Sequence, residues 1–225
     1  MKITLTKTGK RFNSDWIFRN LDYEFNSNNR YAVVGANGSG KSTLLRLIAG
    51  NINPSEGQIN YEYNDKIIAP DNIFRHLALA TPYQQLIEEF TLPEMLHFHQ
   101  KFKPFVKQFT PNRICEILAF PKSESKQLQY YSSGMKQRVK LAIAILSDTP
   151  LLLLDEPCTN LDRQGTDWYH NLINDYSANR LIIVCSNHKQ EETVFCKYFL
   201  SMFPNHIPMK MTLPNKLFIP ILPET

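Results

Sequence analysis

The eight residues Gly35-Ala36-Asn37-Gly38-Ser39-Gly40-Lys41-Ser42 constrain this chain more than any other stretch. Three of its eight glycines fall inside them, so the backbone can wrap tightly there. The run follows an apolar segment, Tyr31-Ala32-Val33-Val34, and precedes Thr43-Leu44-Leu45-Arg46-Leu47-Ile48-Ala49, whose spacing is helical. A glycine-rich loop between strand and helix, closed by Lys and Ser, is a phosphate-binding loop. Its N–H groups turn inward around a polyphosphate, and the helix behind it adds its positive end. Lys41 is expected to reach the β- and γ-phosphates, and the Ser42 hydroxyl to ligand Mg²⁺. The expected nucleotide site comprises Gly35, Ala36, Asn37, Gly38, Ser39, Gly40, Lys41, Ser42 and Thr43.

A second pair of residues adds chemistry. Leu151-Leu152-Leu153-Leu154 is an uninterrupted apolar run, as in a buried parallel strand, and it ends in Asp155-Glu156. Two adjacent carboxylates at a strand end are costly without a cation or polar partners. Asp155 is placed to hold Mg²⁺ and Glu156 to act as general base on an attacking water. Shortly before that strand stands Tyr131-Ser132-Ser133-Gly134-Met135-Lys136-Gln137-Arg138. Ser132 or Ser133 can N-cap the helix that follows, giving a second helix N-terminus suited to an anion.

The remaining pattern bounds the architecture. A chain of 225 residues with 43% hydrophobic content suits one domain, or one core with a subdomain. Ile3 to Thr8 and Leu21 to Phe25 alternate as strands, and Gln58 to Tyr63 reads as another. Gly50 is placed to end the helix after the phosphate loop. From Leu92 to Leu118 the pattern is helical but broken at Pro104 and Pro111. Ser133 to Ser147 and Gln164 to Ser177 read as helices, and Leu181 to Cys185 as a second buried strand. The expected division is an α/β core in 1–84 and 148–200, a helical subdomain in 85–147, and a proline-rich tail in 201–225.

Composition excludes several classes. The net charge of +4 is modest and its lysines and arginines are scattered, so no nucleic-acid partner is expected. Cys115, Cys158, Cys185 and Cys196 lack metal-site spacing and read as reduced thiols. His97 and His99 flank Phe98 and read as packing or surface residues. No window approaches ~18 consecutive apolar residues, so any membrane role has to come through a partner.

In their order, these pieces resemble an ABC-type ATPase, the nucleotide-binding subunit of ABC transporters, over about residues 3 to 200. Gly35 to Ser42 matches the family's Walker A loop, Leu151 to Asp155 its Walker B strand, and Glu156 its catalytic glutamate. Tyr131 to Met135 is similar to the signature motif, and Leu161-Asp162 to the D-loop. The resemblance implies a P-loop core with an N-terminal antiparallel β-subdomain and an inserted helical subdomain. It implies ATP and Mg²⁺ as ligands, and a head-to-tail pair with a second copy or a homologous subunit. Each ATP would then lie between one Walker loop and the Ser132 and Gly134 of the other chain. It further implies transmembrane subunits as partners and a cytoplasmic place on the inner face of the cell membrane. The wording of the signature is most similar to exporters of the ABC-2 and haem-exporter kind.

The chain departs from that pattern at several positions. Tyr131, Ser133 and Met135 stand where the signature has Leu, Gly and Gln, while Ser132 and Gly134 are kept. In the Q-loop, a strict match to Pro82 falls on Tyr83; Gln84 is taken as the Mg²⁺ and water sensor, with Gln85 the alternative. After Ser186 come Asn187 and His188; His188 is taken as the switch residue, with Asn187 the alternative at the γ-phosphate. Phe12 lies where the family places an aromatic against adenine, and Trp16 rivals it. Two other readings remain at this point: a soluble ABC ATPase, for instance of the iron–sulfur assembly type, and a nucleotide-binding scaffold with weak hydrolysis.

Overall fold

The computed structural model describes residues 1–120, 125–187, 189–202 and 209–212. The alternating N-terminal segment forms a hairpin of β1 (Lys2–Phe12) and β2 (Asp15–Asn26), turned at Asn13 in the left-handed region, φ 54°. Both strands run longer than their alternation suggests. Register shifts between Leu5 and Arg11 absorb the extra residues of β1, as β-bulges do. Broken alternation hides a bulged strand from a period-two reading. β4 (Glu56–Tyr63) pairs on the other side of β1, and β5 (Lys66–Ile68) completes a four-stranded antiparallel sheet in the order β2-β1-β4-β5.

The second sheet holds the phosphate loop. Its order is β10-β9-β3-β8-β7-β6, from β3 (Arg30–Val34), β6 (Leu77–Ala80), β7 (Leu151–Asp155), β8 (Leu181–Ser186), β9 (Tyr198–Ser201) and β10 (Met209–Thr212). All neighbours are parallel except β10, which runs antiparallel at the edge. β7 and β8 are central and buried throughout, which explains their uninterrupted apolar runs. Period-two alternation divides them between two cores. Val33, Leu153 and Ile183 face α1 (Lys41–Ile48) and the antiparallel sheet. Ala32, Leu152, Leu154 and Val184 face α4 (Ser133–Leu146) and α5 (Arg163–Tyr176).

Local signals set the helix ends. Thr91 closes a capping box with Glu94 at the start of α2 (Leu92–Phe102), and Thr110 caps α3 (Pro111–Leu118). Pro104 lies just beyond α2, and Pro111 opens α3, where its missing N–H costs nothing. Ser132 caps α4 through the Met135 N–H, and Asp162 caps α5 through that of Gly165. A short α6 (Gln190–Thr193) follows β8. At the other end of α4, Arg180 Nη1 donates to the Ile145 carbonyl at 2.6 Å and Nη2 to Thr149 Oγ1 at 2.7 Å. A cation there satisfies a terminal carbonyl and suits the negative helix end. Of the tail after 202, the described part is β10, an edge strand that contains no proline; the tail's prolines lie outside the described residues.

Candidate nucleotide site

The site grows from the end of β3. The chain leaves the sheet at Val34, loops through Gly35 to Gly40, and enters α1 at Lys41. Gly40 demands glycine on two counts: its φ is +97°, and a β-carbon would meet the Ile17 Cγ2 at 2.6 Å. Ile17 comes from β2, so the antiparallel sheet is pressed against the loop.

Asn37, Gly38, Gly40, Lys41, Ser42 and Thr43 line a cleft of about 490 Å³, together with Ile17, Tyr83 and Glu156. Gly38 opens onto free space, with no atom within 4 Å of a β-carbon placed there. Lys41 is buried, and its Nζ donates to the carbonyls of Gly35 and Ala36 at 2.9 Å. An ammonium arching over a glycine loop beside open space fits a bound phosphate chain.

Asp155 ends β7 next to this loop. Burial pushes its carboxyl above the usual range. A hydrogen bond from Ser42 opposes that shift, the Glu156 charge adds to it, and Lys41 opposes it. Its Oδ1 is buried with no hydrogen-bond partner. A buried, half-satisfied carboxylate beside a serine hydroxyl fits Mg²⁺, which takes one or two protein oxygens and completes its shell with phosphates and water. Among the described residues no cluster of three His, Cys, Asp or Glu side chains could hold a metal, so such an ion would depend on the nucleotide.

Glu156 sits in the left-handed region, φ 44°, rare for a residue with a β-carbon. Its N–H donates to the Cys185 carbonyl at 2.9 Å, and Thr159 Oγ1 donates to its carboxylate at 3.4 Å. The turn takes Glu156 out of strand alternation and into the cleft. Strain of this kind, of the order of 1–3 kcal/mol, persists where surrounding structure holds it.

The other predicted residues are spread around and beyond this cleft. Gln84 lines a neighbouring cavity of about 390 Å³ with Ser42, Asp155, Arg46 and Tyr83, while the wall of the Glu156 cleft is Tyr83, 89% exposed. Ser132 and Gly134 line a separate cleft of about 360 Å³ with Arg138, Asn160, Leu161 and Asp162, which excludes the phosphate loop. Phe12 stands at the end of β1, 44% exposed under the Lys10 ammonium at 5.2 Å, and is absent from the lining of these clefts. The ring of Trp16 is covered by the guanidiniums of Arg19 at 4.1 Å and Arg11 at 5.5 Å. His188 lies outside the described residues. Asn187, at the end of β8, directs Nδ2 to Asn37 Oδ1 at 3.5 Å.

Sequence reasoning missed Ile17 and Asn160. Ile17 carries no motif and reaches the loop only because two sheets pack. Asn160 has a weak signal, an asparagine in a Thr-Asn-Leu-Asp turn, and its φ of 63° is one that asparagine tolerates.

The chain is similar to known proteins. A cytochrome c biogenesis ATP-binding export protein, CcmA, from Xylella fastidiosa (strain Temecula1 / ATCC 700964) is 32% identical over 153 residues, 68% of this chain and 71% of that protein. The uncharacterized ABC transporter ATP-binding protein YybJ of Bacillus subtilis (strain 168) is 29% identical over 201 residues, 88% of this chain and 89% of that one. The dimeric structure of MJ0796, a bacterial ABC transporter cassette, superimposes with a TM-score of 0.78 at 19% identity, covering 95% of this chain and 99% of that one. At that identity the likeness shows the fold, an antiparallel β-subdomain on a parallel P-loop core. Residues 18–159 match the family model described as ABC transporter, so the chain belongs to that family, as an ATP-binding subunit that hydrolyses ATP.

Proposed function

We propose that this chain powers an ABC exporter, and that it does so as a head-to-tail pair in which each ATP is shared by two chains. One observation carries the reading. The phosphate loop with Glu156 lines one cleft, and Ser132 with Gly134 and Asp162 lines another, so neither cleft holds both halves of the expected site. A pair related by two-fold symmetry brings the first cleft of each chain against the second of the other.

Within such a site the roles follow from chemistry. The loop N–H groups and Lys41 neutralise the phosphates of ATP and position the terminal one. Ser42 and Asp155 would hold Mg²⁺, with Gln84 beside them; the ion supplies charge stabilisation to the phosphate oxygens when bound. Glu156 accepts a proton from the attacking water. Ser132 and the N–H groups at the start of α4 face the phosphates held by the other chain. Ile17 packs on the loop, and the exposed Phe12 ring at the end of β1 is proposed to receive the base.

The coupling to transport requires a partner. Among the described residues no helix is long and apolar enough to cross a membrane. The transport path therefore belongs to transmembrane subunits, and this chain docks on them from the cytoplasmic face of the membrane. The export direction rests on the wording of the signature and on the likeness to CcmA, named as an export protein.

The shared site is tested by the order of the reaction. Mg-ATP turnover per chain is expected to rise with protein concentration until the pair is saturated. A turnover per chain that is constant from nanomolar to micromolar protein overturns the two-chain site.

A further inference from the structure

Two lysines of α4 reach back to the segment that carries Tyr83 and Gln84. The chain from Thr81 to Phe90 forms neither helix nor strand. Inside it, the Gln84 N–H donates to the Thr81 carbonyl at 3.3 Å, a turn that ties the segment only to itself. Yet this segment supplies the Tyr83 wall of the Glu156 cleft and sets Gln84 beside Ser42 and Asp155. Its place at the nucleotide has to be held from elsewhere in the fold.

The hold comes from α4. Lys140 Nζ donates to the Pro82 carbonyl at 3.1 Å, and Lys136 Nζ to Glu88 Oε1 at 2.6 Å. The two lysines are one turn apart, on a shared helix face where like charges repel. Each is met by an acceptor, one at either end of the 82–88 segment. Burial, with the Lys136 charge, lowers the Lys140 ammonium, so losing the Pro82 carbonyl would leave a desolvated donor unmet. The Lys136–Glu88 pair holds more weakly, because half of the Glu88 side chain is open to solvent. The Gln129 N–H also holds the Glu88 carbonyl, at 2.9 Å. At its own start α4 carries Ser132 and Gly134, which line the other cleft. One helix therefore bears one half-site and grips a wall of the other.

We infer that Lys136 and Lys140 are positioning residues for ATP hydrolysis, which hold Tyr83 and Gln84 against the bound nucleotide from the helix that carries Ser132. The inference rests on the proposed reading of the two clefts and adds what aligns one with the other inside a chain. Neither lysine lines the phosphate-loop cleft, and neither touches a reacting atom. Nucleotide affinity is therefore expected to survive their loss, while turnover is not.

The test is steady-state turnover and equilibrium Mg-ATP binding of the full chain, with turnover counted per folded molecule. Lys140→Met is expected to lower kcat about threefold to tenfold, with ATP affinity within about twofold. Lys136→Glu and Glu88→Lys are each expected to lower kcat about twofold to fivefold, and the double exchange to recover it. In a chain already carrying Tyr83→Ala and Gln84→Ala, Lys140→Met is expected to cost less than about twofold, because the lysine acts through those residues. If Lys140→Met fails to fold, the exchange between Lys136 and Glu88 carries the test. A lowered urea midpoint with kcat per folded molecule unchanged overturns the inference, because the lysines then serve the fold alone. Losses that multiply in the triple variant, or an exchange that recovers nothing, overturn it as well. If wild-type turnover per chain rises with protein concentration while one of these results is found, this inference alone has failed. If that rise is missing, the shared-site reading has failed instead.

Discussion

Gly134 and Asn160 meet so closely that no side chain fits between them: a β-carbon on Gly134 would lie 2.9 Å from the Asn160 carbonyl oxygen. The start of α4 is thereby seated on the turn that follows β7. That turn begins at Glu156, so the two halves proposed for opposite ATP molecules are mechanically joined within one chain. Movements of Glu156 and of Ser132 are therefore expected to be coupled.

Gly134→Val forces α4 away from Asn160. The expected outcome is a loss of Mg-ATP turnover of about tenfold or more, with ATP affinity of the isolated chain within about twofold. Steady-state turnover and equilibrium binding on the same preparation check it. An equal loss in both would mean that Gly134 serves the chain's own nucleotide.

Arg180 is expected to be a stability residue. It is buried, and burial lowers its guanidinium to about 10, yet it holds Ile145 and Thr149. Arg180→Met leaves those acceptors unmet and should destabilise the fold by about 2–4 kcal/mol. Arg180→Lys should recover only part of that, because one ammonium cannot reproduce the fork. Urea denaturation gives the result; ATP affinity per folded molecule should not change.

His99 predicts an acid limb of stability. Burial, with the nearby Lys103 charge, lowers its imidazole from 6.5 to about 4. In the folded chain it stays neutral, with Nε2 2.9 Å from Ser147 Oγ. Between those two values the unfolded chain binds more protons than the folded one, so stability rises with pH across the window. The contribution is complete above pH 6.5 and is lost as pH falls through about 4. After allowance for partial solvent screening it amounts to roughly 2 kcal/mol. His99→Gln should flatten the urea midpoint between those pH values.

The phosphate loop and the Asp155-Glu156 strand end were legible because each is a local pattern whose meaning survives without neighbours. The apolar runs of β7 and β8 were legible for the same reason, since central parallel strands are buried on both faces. The bulged length of β1 was not, because bulges break the alternation that reveals a strand. Ile17 was invisible for a different reason: its place at the loop depends on how one sheet packs on another. Tyr131 looked like a departure from the signature. In the fold it is buried, edge-to-face with Phe120 at 5.8 Å, so a pocket has been built for it. The neighbourhood of Gln84 and Tyr83 depends on loop shape, and spacing alone does not encode which side chain faces which cleft.

The central claim is that one chain holds two half-sites that become whole only between copies. Glu156→Gln keeps the shape of the side chain and removes the base, so a bound ATP should not be consumed. Its molar mass in solution, measured with saturating Mg-ATP and then with Mg-ADP, tests the claim most directly. The account predicts twice the single-chain mass with ATP and the single-chain mass with ADP. A chain that stays single while saturated with ATP would contradict it.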